Sequence, residues 1–388
     1  MRGIMIMRKN AFGSLGLILL CFFTAGMAPA QTPSGKTPTP VAGDAPALED
    51  IAKFLSGIPC SVEPWKTLQN SPEWTAFAAG LEKSWAELEE KRLGPMRTWA
   101  RTELAGANAS TKILFYPFGG PDFVTAHVFF PDVESYVLLG LEFVGQLPEF
   151  EASESSRATS YLSNLQAAFS DFFQKSYFIT HNMDVALAGD KVDGVLPLLC
   201  FFLKRTGNTI VEVKRCALLE GLGLVEYEYG LQRKLRRPYG IKIAFTSGGS
   251  SRLRSLYYFS CDLADLSFGK DAAFYAYLNG LPFEATFLKS ASYLPHYREF
   301  SNIRSIILEK SRFILEDDTG IPFRYFPGKS WDVQLYGEYI KPVNDFAGVE
   351  QPDLKAAYAD PSRVKKLPFH VGYHWGTNKD SILSIRKK

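Results

Sequence analysis

The sequence contains few cysteines and, beyond its first thirty residues, no long hydrophobic run. Five cysteines in 388 residues, none of them in a C-x-x-C pair, exclude a disulfide-dense scaffold and the common zinc-ribbon and thioredoxin-like motifs. The chain also lacks a phosphate-binding G-x-x-x-x-G-K-[ST] loop and a G-x-S-x-G nucleophile elbow. No motif therefore assigns an enzyme class, and whether the protein is an enzyme stays open.

The sequence also lacks an excess of either charge. It has 43 basic and 41 acidic side chains, and no basic stripe of the kind that binds nucleic acid. With 46% hydrophobic and 22% charged residues, it has the composition of a folded globular protein. We therefore expect no nucleic-acid partner and no cofactor.

The first thirty residues have the pattern of a signal peptide. Arg2, Arg8 and Lys9 form a basic start, residues 11–27 are almost wholly apolar, and Ala28-Pro29-Ala30 offers small residues for cleavage. Losing these three cations would change the net charge from +2 to −1. We predict export to the periplasm or the medium, with no membrane span in the mature protein.

The rest of the chain divides by composition. Residues 31–46 are rich in proline, glycine and threonine, which predicts a disordered leader, and residues 47–105 show helical spacing of apolar side chains. From residue 110 the apolar period changes to two, which is typical of strands. We predict a first α+β unit over residues 110–235, a second over 240–345, and a C-terminal extension with a strand or hairpin over 346–388.

Paired segments of these two units look alike. Residues 111–130 and 241–260 each suggest a hairpin around a glycine pair, and 174–180, 194–202 and 209–214 resemble 309–315, 320–326 and 331–336 in the same order. A repeated order predicts a tandem duplication. The expected fold is α+β: N-terminal helices followed by two duplicated α+β units with largely antiparallel sheets, and a ligand groove between them.

Aromatic residues, 14% of the chain, stand near acids in two places, as in sugar-handling sites. The rigid turn before Asp122 could hold that carboxylate at the edge of a cleft. A glycosidase needs two such carboxylates. The candidate catalytic residues are Asp122, Asp318 and Glu299, and the candidate ligand-binding residues are Tyr116, Phe118, His127 and Tyr297.

Two further patterns are better explained by structure than by chemistry. Asp318-Thr319-Gly320 matches the aspartic-protease triplet, but the first unit has no second triplet, and the residues also suit a hairpin turn. His370 and His374 have the spacing of helical zinc ligands, yet they alternate with apolar residues as in a strand, where they would lie about 13 Å apart. We therefore predict no metal site.

The cysteines leave two alternatives open. An even number, Cys60, Cys200, Cys216 and Cys261, would remain after cleavage, which permits disulfides in an oxidising compartment. Cys200 and Cys216 lie in apolar runs, where free cysteine behaves as a small hydrophobe.

Several strings in the second part of the chain resemble an uncharacterised family of exported bacterial proteins, a domain of unknown function. They are YPFGGPDF, YVLLGLE, DDTGIPFRYF, QPDLKAAY and KKLPFHVGYHW, and the resemblance covers most of residues 110–388. It implies export and a bacterial envelope setting, and it transfers no catalytic residue.

Together these patterns predict an exported, non-catalytic envelope protein that binds a small molecule, a glycan or a protein partner. The alternative is a secreted hydrolase that acts on glycan through paired carboxylates.

Overall fold

The computed structural model describes residues 45–388 except 176, 189, 190, 228–238, 375 and 378. The predicted signal peptide and nearly all of the predicted leader lie outside the described residues. The described part is an α+β structure, as the sequence predicted, in which helices cover a single mixed sheet. Within it, no helix has both the length and the apolar character needed to cross a bilayer.

Fourteen α-helices occur in the described residues. They are α1 (Ala45–Leu55), α2 (Trp65–Leu68), α3 (Pro72–Leu88), α4 (Gly94–Glu103), α5 (Ala105–Ser110), α6 (Phe123–Phe129), α7 (Ser155–Ala168), α8 (Ser170–Lys175), α9 (Thr180–Ala186), α10 (Leu196–Arg205), α11 (Asp265–Phe268), α12 (Ala272–Gly280), α13 (Ser301–Lys310) and α14 (Pro352–Tyr358).

The same part of the chain contains eleven strands. They are β1 (Ile113–Tyr116), β2 (Ser135–Gly140), β3 (Asn208–Leu219), β4 (Gly223–Tyr227), β5 (Tyr239–Ser247), β6 (Arg254–Ser260), β7 (Ala285–Leu288), β8 (Phe313–Glu316), β9 (Trp331–Gly337), β10 (Val364–Lys365) and β11 (Ser381–Lys387).

All eleven strands join one sheet in the order β10-β9-β11-β8-β7-β1-β2-β6-β5-β3-β4. The five central strands, β8-β7-β1-β2-β6, run parallel. Antiparallel strands flank them: β5, β3 and β4 beyond β6, and β11 and β9 beyond β8. The expected antiparallel pairing therefore accounts for most of the paired residues, but the parallel centre was not predicted.

Both faces of the sheet are buried, because successive side chains of its central strands enter different cores. Leu114 and Tyr116 pack into a core with the helices of residues 45–205, while Phe115 packs into a second core with α11 to α14. Helix α3 shows how the first core is covered. Ser71 caps it by accepting a hydrogen bond from the Trp74 backbone N–H (3.1 Å), and five of its apolar side chains are buried.

The tandem duplication is not confirmed, because three of the four paired segments differ in secondary structure. Residues 123–129 form helix α6, whereas the matching residues 254–260 form strand β6. Residues 194–202 were expected to be a strand and were paired with residues 320–326. The first segment instead enters helix α10, residues 196–205, and the second contains only a short 3-10 turn, Phe323–Tyr325. Within the described residues there is one sheet and not two lobes, so the predicted groove between lobes has no counterpart there.

The four cysteines in the described part are free thiols. Cys200 and Cys216 are fully buried, and Cys60 is nearly so. Burial raises the pKa of the Cys60 and Cys216 thiols to about 12. Of the two alternatives, the structure contains the buried thiols.

Candidate functional site

The centre of the sheet contains a reversal in strand order. From β1 the chain proceeds to β2 and β6 on one side, and it later returns to β7 and β8 on the other side. In open sheets with parallel strands, ligands bind outside the carboxyl ends of the strands at such a reversal. The loops that follow β1, β2, β7 and β8 are therefore the candidate functional site, and we call them the carboxyl edge.

The loop after β1 turns sharply through two glycines. Gly120 has a left-handed backbone (φ +56°), and its N–H donates to the Leu139 carbonyl of β2 (3.1 Å). Gly119 lies so close to the Tyr116 ring that an added Cβ would come within 2.3 Å of it. Glycine is thus required twice, once for conformation and once for close approach.

Glu142 follows β2 and folds back over this glycine loop. Glu142 is 7% exposed, and a Cβ added to Gly120 would lie 3.2 Å from the Glu142 Oε2 atom. A Cβ on Gly140 would lie 2.6 Å from the same oxygen. The Tyr258 hydroxyl of β6 donates to the Glu142 carbonyl (2.8 Å) and contacts Oε2 (3.3 Å). The carboxylate is therefore held at the ends of three adjacent strands.

On the other side of β1, a buried ion pair joins the loops after β1 and β7. The Lys289 ammonium contacts the Asp122 carboxylate, and both side chains are at most 2% exposed. Asp122 also caps α6 by accepting from the Thr125 N–H (3.1 Å), and it accepts from the Tyr116 hydroxyl (3.2 Å). The helix N-terminus is therefore already occupied by a carboxylate.

Strained backbone is concentrated in the loops after β1 and β7. In the described residues, the non-glycine residues with left-handed φ are Phe118, Ser290, Ser292 and Tyr293. Each such conformation costs about 1–3 kcal/mol, and strain of this kind clusters at ligand sites and switch regions.

Three consecutive acids, Glu316, Asp317 and Asp318, end β8 and are buried. Asp317 accepts from the backbone N–H groups of Ser290 (2.8 Å) and Thr319 (3.0 Å). Burial and the charge of Asp318 raise the pKa of Asp317, and burial raises the pKa of Asp318. Burial also raises the pKa of Glu316 well above its usual range. Burial therefore favours the uncharged form of all three carboxyls.

Residues 369–374, which we call the C-terminal latch, cover these acids. The Tyr373 hydroxyl donates to the Ser290 carbonyl (2.9 Å) and meets the Ser292 hydroxyl (2.9 Å). His374 Nε2 lies 3.9 Å from Asp318 Oδ2. The predicted strand here is wrong, because the only regular structure in the latch is a 3-10 turn, Gly372–His374.

The carboxyl edge brings together four of the seven residues that the sequence suggested. Tyr116, Phe118 and Asp122 lie after or at the end of β1, and Asp318 lies after β8. The Tyr116 hydroxyl donates to Asp122 (3.2 Å), and burial together with the charges of Asp122 and Asp317 raises the pKa of Tyr116.

The other three candidates lie elsewhere. His127 is on α6, stacked on Phe123 and bonded through Nδ1 to the Tyr136 hydroxyl (2.9 Å), and burial lowers its pKa to about 3. Tyr297 and Glu299 are exposed beside a 3-10 turn, Arg298–Phe300.

Sequence reasoning missed Glu142, Lys289, Asp317, Tyr373 and the role of His374. For Glu142 a partial signal existed: it follows the glycine turn by about twenty residues, the spacing of the ribose-binding acid in doubly wound sheets, although the turn lacks the G-x-G-x-x-G fingerprint. It was missed because residues 123–130 were interpreted as a strand. In the described residues, no group of three or more His, Cys, Asp or Glu side chains is arranged to hold a metal ion.

Comparison with known proteins gives no match to a protein-family model, a curated protein or a solved structure. We therefore infer the function from the geometry of the carboxyl edge.

Proposed function

We propose that the protein is an exported binding protein whose carboxyl edge binds a ribose-bearing ligand without a phosphate group. The observation that carries this proposal is the Glu142 carboxylate, held over Gly120 and Gly140 beside the reversal in strand order. A carboxylate can accept hydrogen bonds from two neighbouring hydroxyls, which is how an acid at this position binds a ribose in doubly wound sheets. The similarity to doubly wound sheets lies in the geometry of the site and does not extend to the overall fold.

A phosphate is disfavoured on the other side of the same loop. Where a phosphate would approach the first turn of α6, the structure has the Asp122 carboxylate, and Pro121 has no N–H to donate. Lys289, the nearby cation, is already paired with Asp122. With the helix N-terminus capped by Asp122 and Lys289 paired, a phosphate gains little from either group, which favours an uncharged nucleoside over a nucleotide or a dinucleotide.

The glycan-hydrolase alternative receives less support. Asp122 is held in its ion pair, and Glu299 is exposed on a separate turn. A glycosidase needs two carboxyl groups that flank one bond, about 5–9.5 Å apart.

Isothermal titration of the full-chain protein tests the proposal with adenosine, uridine, 2′-deoxyadenosine, AMP and NAD as probes. We expect a nucleoside to bind, its 2′-deoxy form to bind roughly tenfold or more weakly, and the phosphorylated probes to bind worse than the nucleoside. Glu142→Gln should weaken nucleoside binding roughly 10- to 100-fold, because it removes charge-assisted hydrogen bonds.

The matched control is Glu338→Gln, the same change at an exposed position on the turn after β9. It should leave binding unchanged. The proposal fails if no nucleoside binds, if the 2′-deoxy form binds equally well, or if the two variants behave alike.

A further inference from the structure

The C-terminal latch and the acids beneath it are in direct contact. Gly372 packs on Asp317 so closely that an added Cβ would lie 2.6 Å from its Oδ2 atom. Gly372 also has φ +69°, so the latch backbone turns at the point where it meets the acid. A charged Asp317 has no room for hydrating water on this side unless the latch moves.

The latch also holds the strained loop after β7. Tyr373 bonds Ser290 and Ser292, while Asp317 bonds the Ser290 N–H and Thr319 bonds the Ala291 N–H (2.7 Å). The loop, the acids and the latch therefore form one hydrogen-bonded assembly. A change in any member is transmitted to the loop that borders the strand-order reversal.

The ionisable groups of this assembly are mainly carboxyls. Glu316, Asp317 and Asp318 come from the end of β8, and Asp380 contributes a fourth buried carboxylate whose charge acts on Asp318. Asp380 Oδ2 is bonded to His370 Nδ1 (2.7 Å). Burial lowers the pKa of His374, so this imidazole is charged only in acid.

The other titratable groups add little to the net charge beside these acids. Burial raises the tyrosine pKa values, so these side chains are neutral near pH 7, and the Lys289 ammonium is paired with Asp122 beyond Tyr116. The charge of Asp380 interacts favourably with that of Arg92, and the charge of Lys379 helps to lower the pKa of His374. The groups that surround the acids are Tyr116 at the end of β1, Tyr293 and His296 after β7, Tyr339 and Tyr358 on the C-terminal side, and Tyr373 in the latch.

We propose that the C-terminal latch, which packs through Gly372 on Asp317, is a pH-responsive cover that closes over the acids in acid and loosens as they become charged. In acid the adjacent Asp317 and Asp318 carboxyls carry at most one charge, which the fold accommodates. At higher pH both are charged, and they repel each other and Asp380 in a site with little water. Displacing the latch hydrates these charges and frees the loop after β7. That this opens a route for the ligand rests on the proposed function.

Hydrogen-exchange mass spectrometry of the full-chain protein tests the cover without any ligand. After correction for intrinsic exchange, protection of peptides from residues 366–374 should fall at least tenfold between pH 5.5 and pH 8.5. Peptides from β11, residues 381–387, should keep their protection over the same range, which separates the latch from global unfolding.

Variants test whether ionisation of Asp317 and Asp318 is what loosens the latch. Asp317→Asn combined with Asp318→Asn cannot ionise, so latch protection should no longer depend on pH, whereas Glu338→Gln should retain the wild-type dependence. If the double variant does not fold, the single variant Asp317→Asn provides a second test: it removes one of the two repelling charges, so the fall in latch protection between pH 5.5 and pH 8.5 should become smaller. A pH-independent latch, or an equal loss of protection in β11, would overturn the proposal.

Nucleoside binding, measured separately at both pH values, distinguishes the two proposals. A latch that responds to pH in a protein that binds no nucleoside supports the cover and removes the proposed function. A nucleoside-binding protein with a pH-independent latch supports the proposed function and removes the cover.

Discussion

Asp122 shows how much one residue of this protein depends on its surroundings. Its carboxylate caps α6, accepts a hydrogen bond from Tyr116, and pairs with Lys289, which lies 167 residues further along the chain. The glycine-rich turn before Asp122 indicated from the sequence that this acid is held rigidly. The lysine could not be predicted, because no local pattern connects residues that only tertiary packing brings together.

The buried pair leads to a prediction about stability. Lys289→Met leaves the Asp122 charge buried and uncompensated, so we expect the free energy of unfolding to fall by about 3–5 kcal/mol. Adding Asp122→Asn removes that charge and keeps an oxygen that can cap α6, so the double variant should recover much of the loss. Urea unfolding at pH 7.5 measures both differences.

Lys91→Met is the matched control, because Lys91 pairs with Glu87 at an exposed position and its loss should leave the unfolding midpoint nearly unchanged. A double variant no more stable than Lys289→Met would show that Lys289 acts through packing and not through charge.

At the scale of elements, the sequence predicted amphipathic structure better than fully buried structure. The apolar spacing of Trp74, Phe77, Leu81 and Trp85 is that of a helix with one buried face, and the structure has α3 there. Helices α6 and α10 have nearly all of their side chains buried, so no polar face marks their period, and both were interpreted as strands. That error made the first glycine turn look like a hairpin and suggested a duplication.

The glycine turn leads to a prediction about the β1–α6 connection. Gly119→Ala places a Cβ within 2.3 Å of the Tyr116 ring, which is fully buried and cannot move away freely. We expect the free energy of unfolding to fall by about 1–3 kcal/mol, as for other overpacked sites.

Gly280→Ala, at the end of α12, is the control, since an added Cβ meets nothing within 4 Å there. Thermal and urea unfolding of the two variants should differ clearly. Equal stability would mean that the loop after β1 is looser than its contacts indicate.

At the scale of the whole molecule, composition and period predicted an α+β protein, and the hairpin of β5 and β6 was predicted correctly. Strand order was not predictable, because β1 and β2 are short apolar runs buried on both faces, and such runs carry no information about their neighbours. The carboxyl edge depends on that order. Its acids could be named from the sequence, but their grouping could not.

Export is also a property of the whole chain, and it remains a prediction. When the full chain is expressed in a bacterium with a periplasm, we expect cleavage after Ala30, so that the mature protein begins at Gln31. Mass spectrometry of the periplasmic fraction measures this directly. Ala30→Phe should block cleavage, whereas Ala45→Phe, near the end of the predicted leader, should not. An unprocessed wild-type chain in the cytoplasm would contradict the prediction.

The position of β11 has a consequence for proteolysis. This strand, residues 381–387, lies between β8 and β9 and is bonded to both. In the sheet of the described residues, β9 and its neighbour β10 join the other strands through β11. A protease cut that released residues 381–387 would therefore detach a three-stranded edge from the sheet, and not one strand alone.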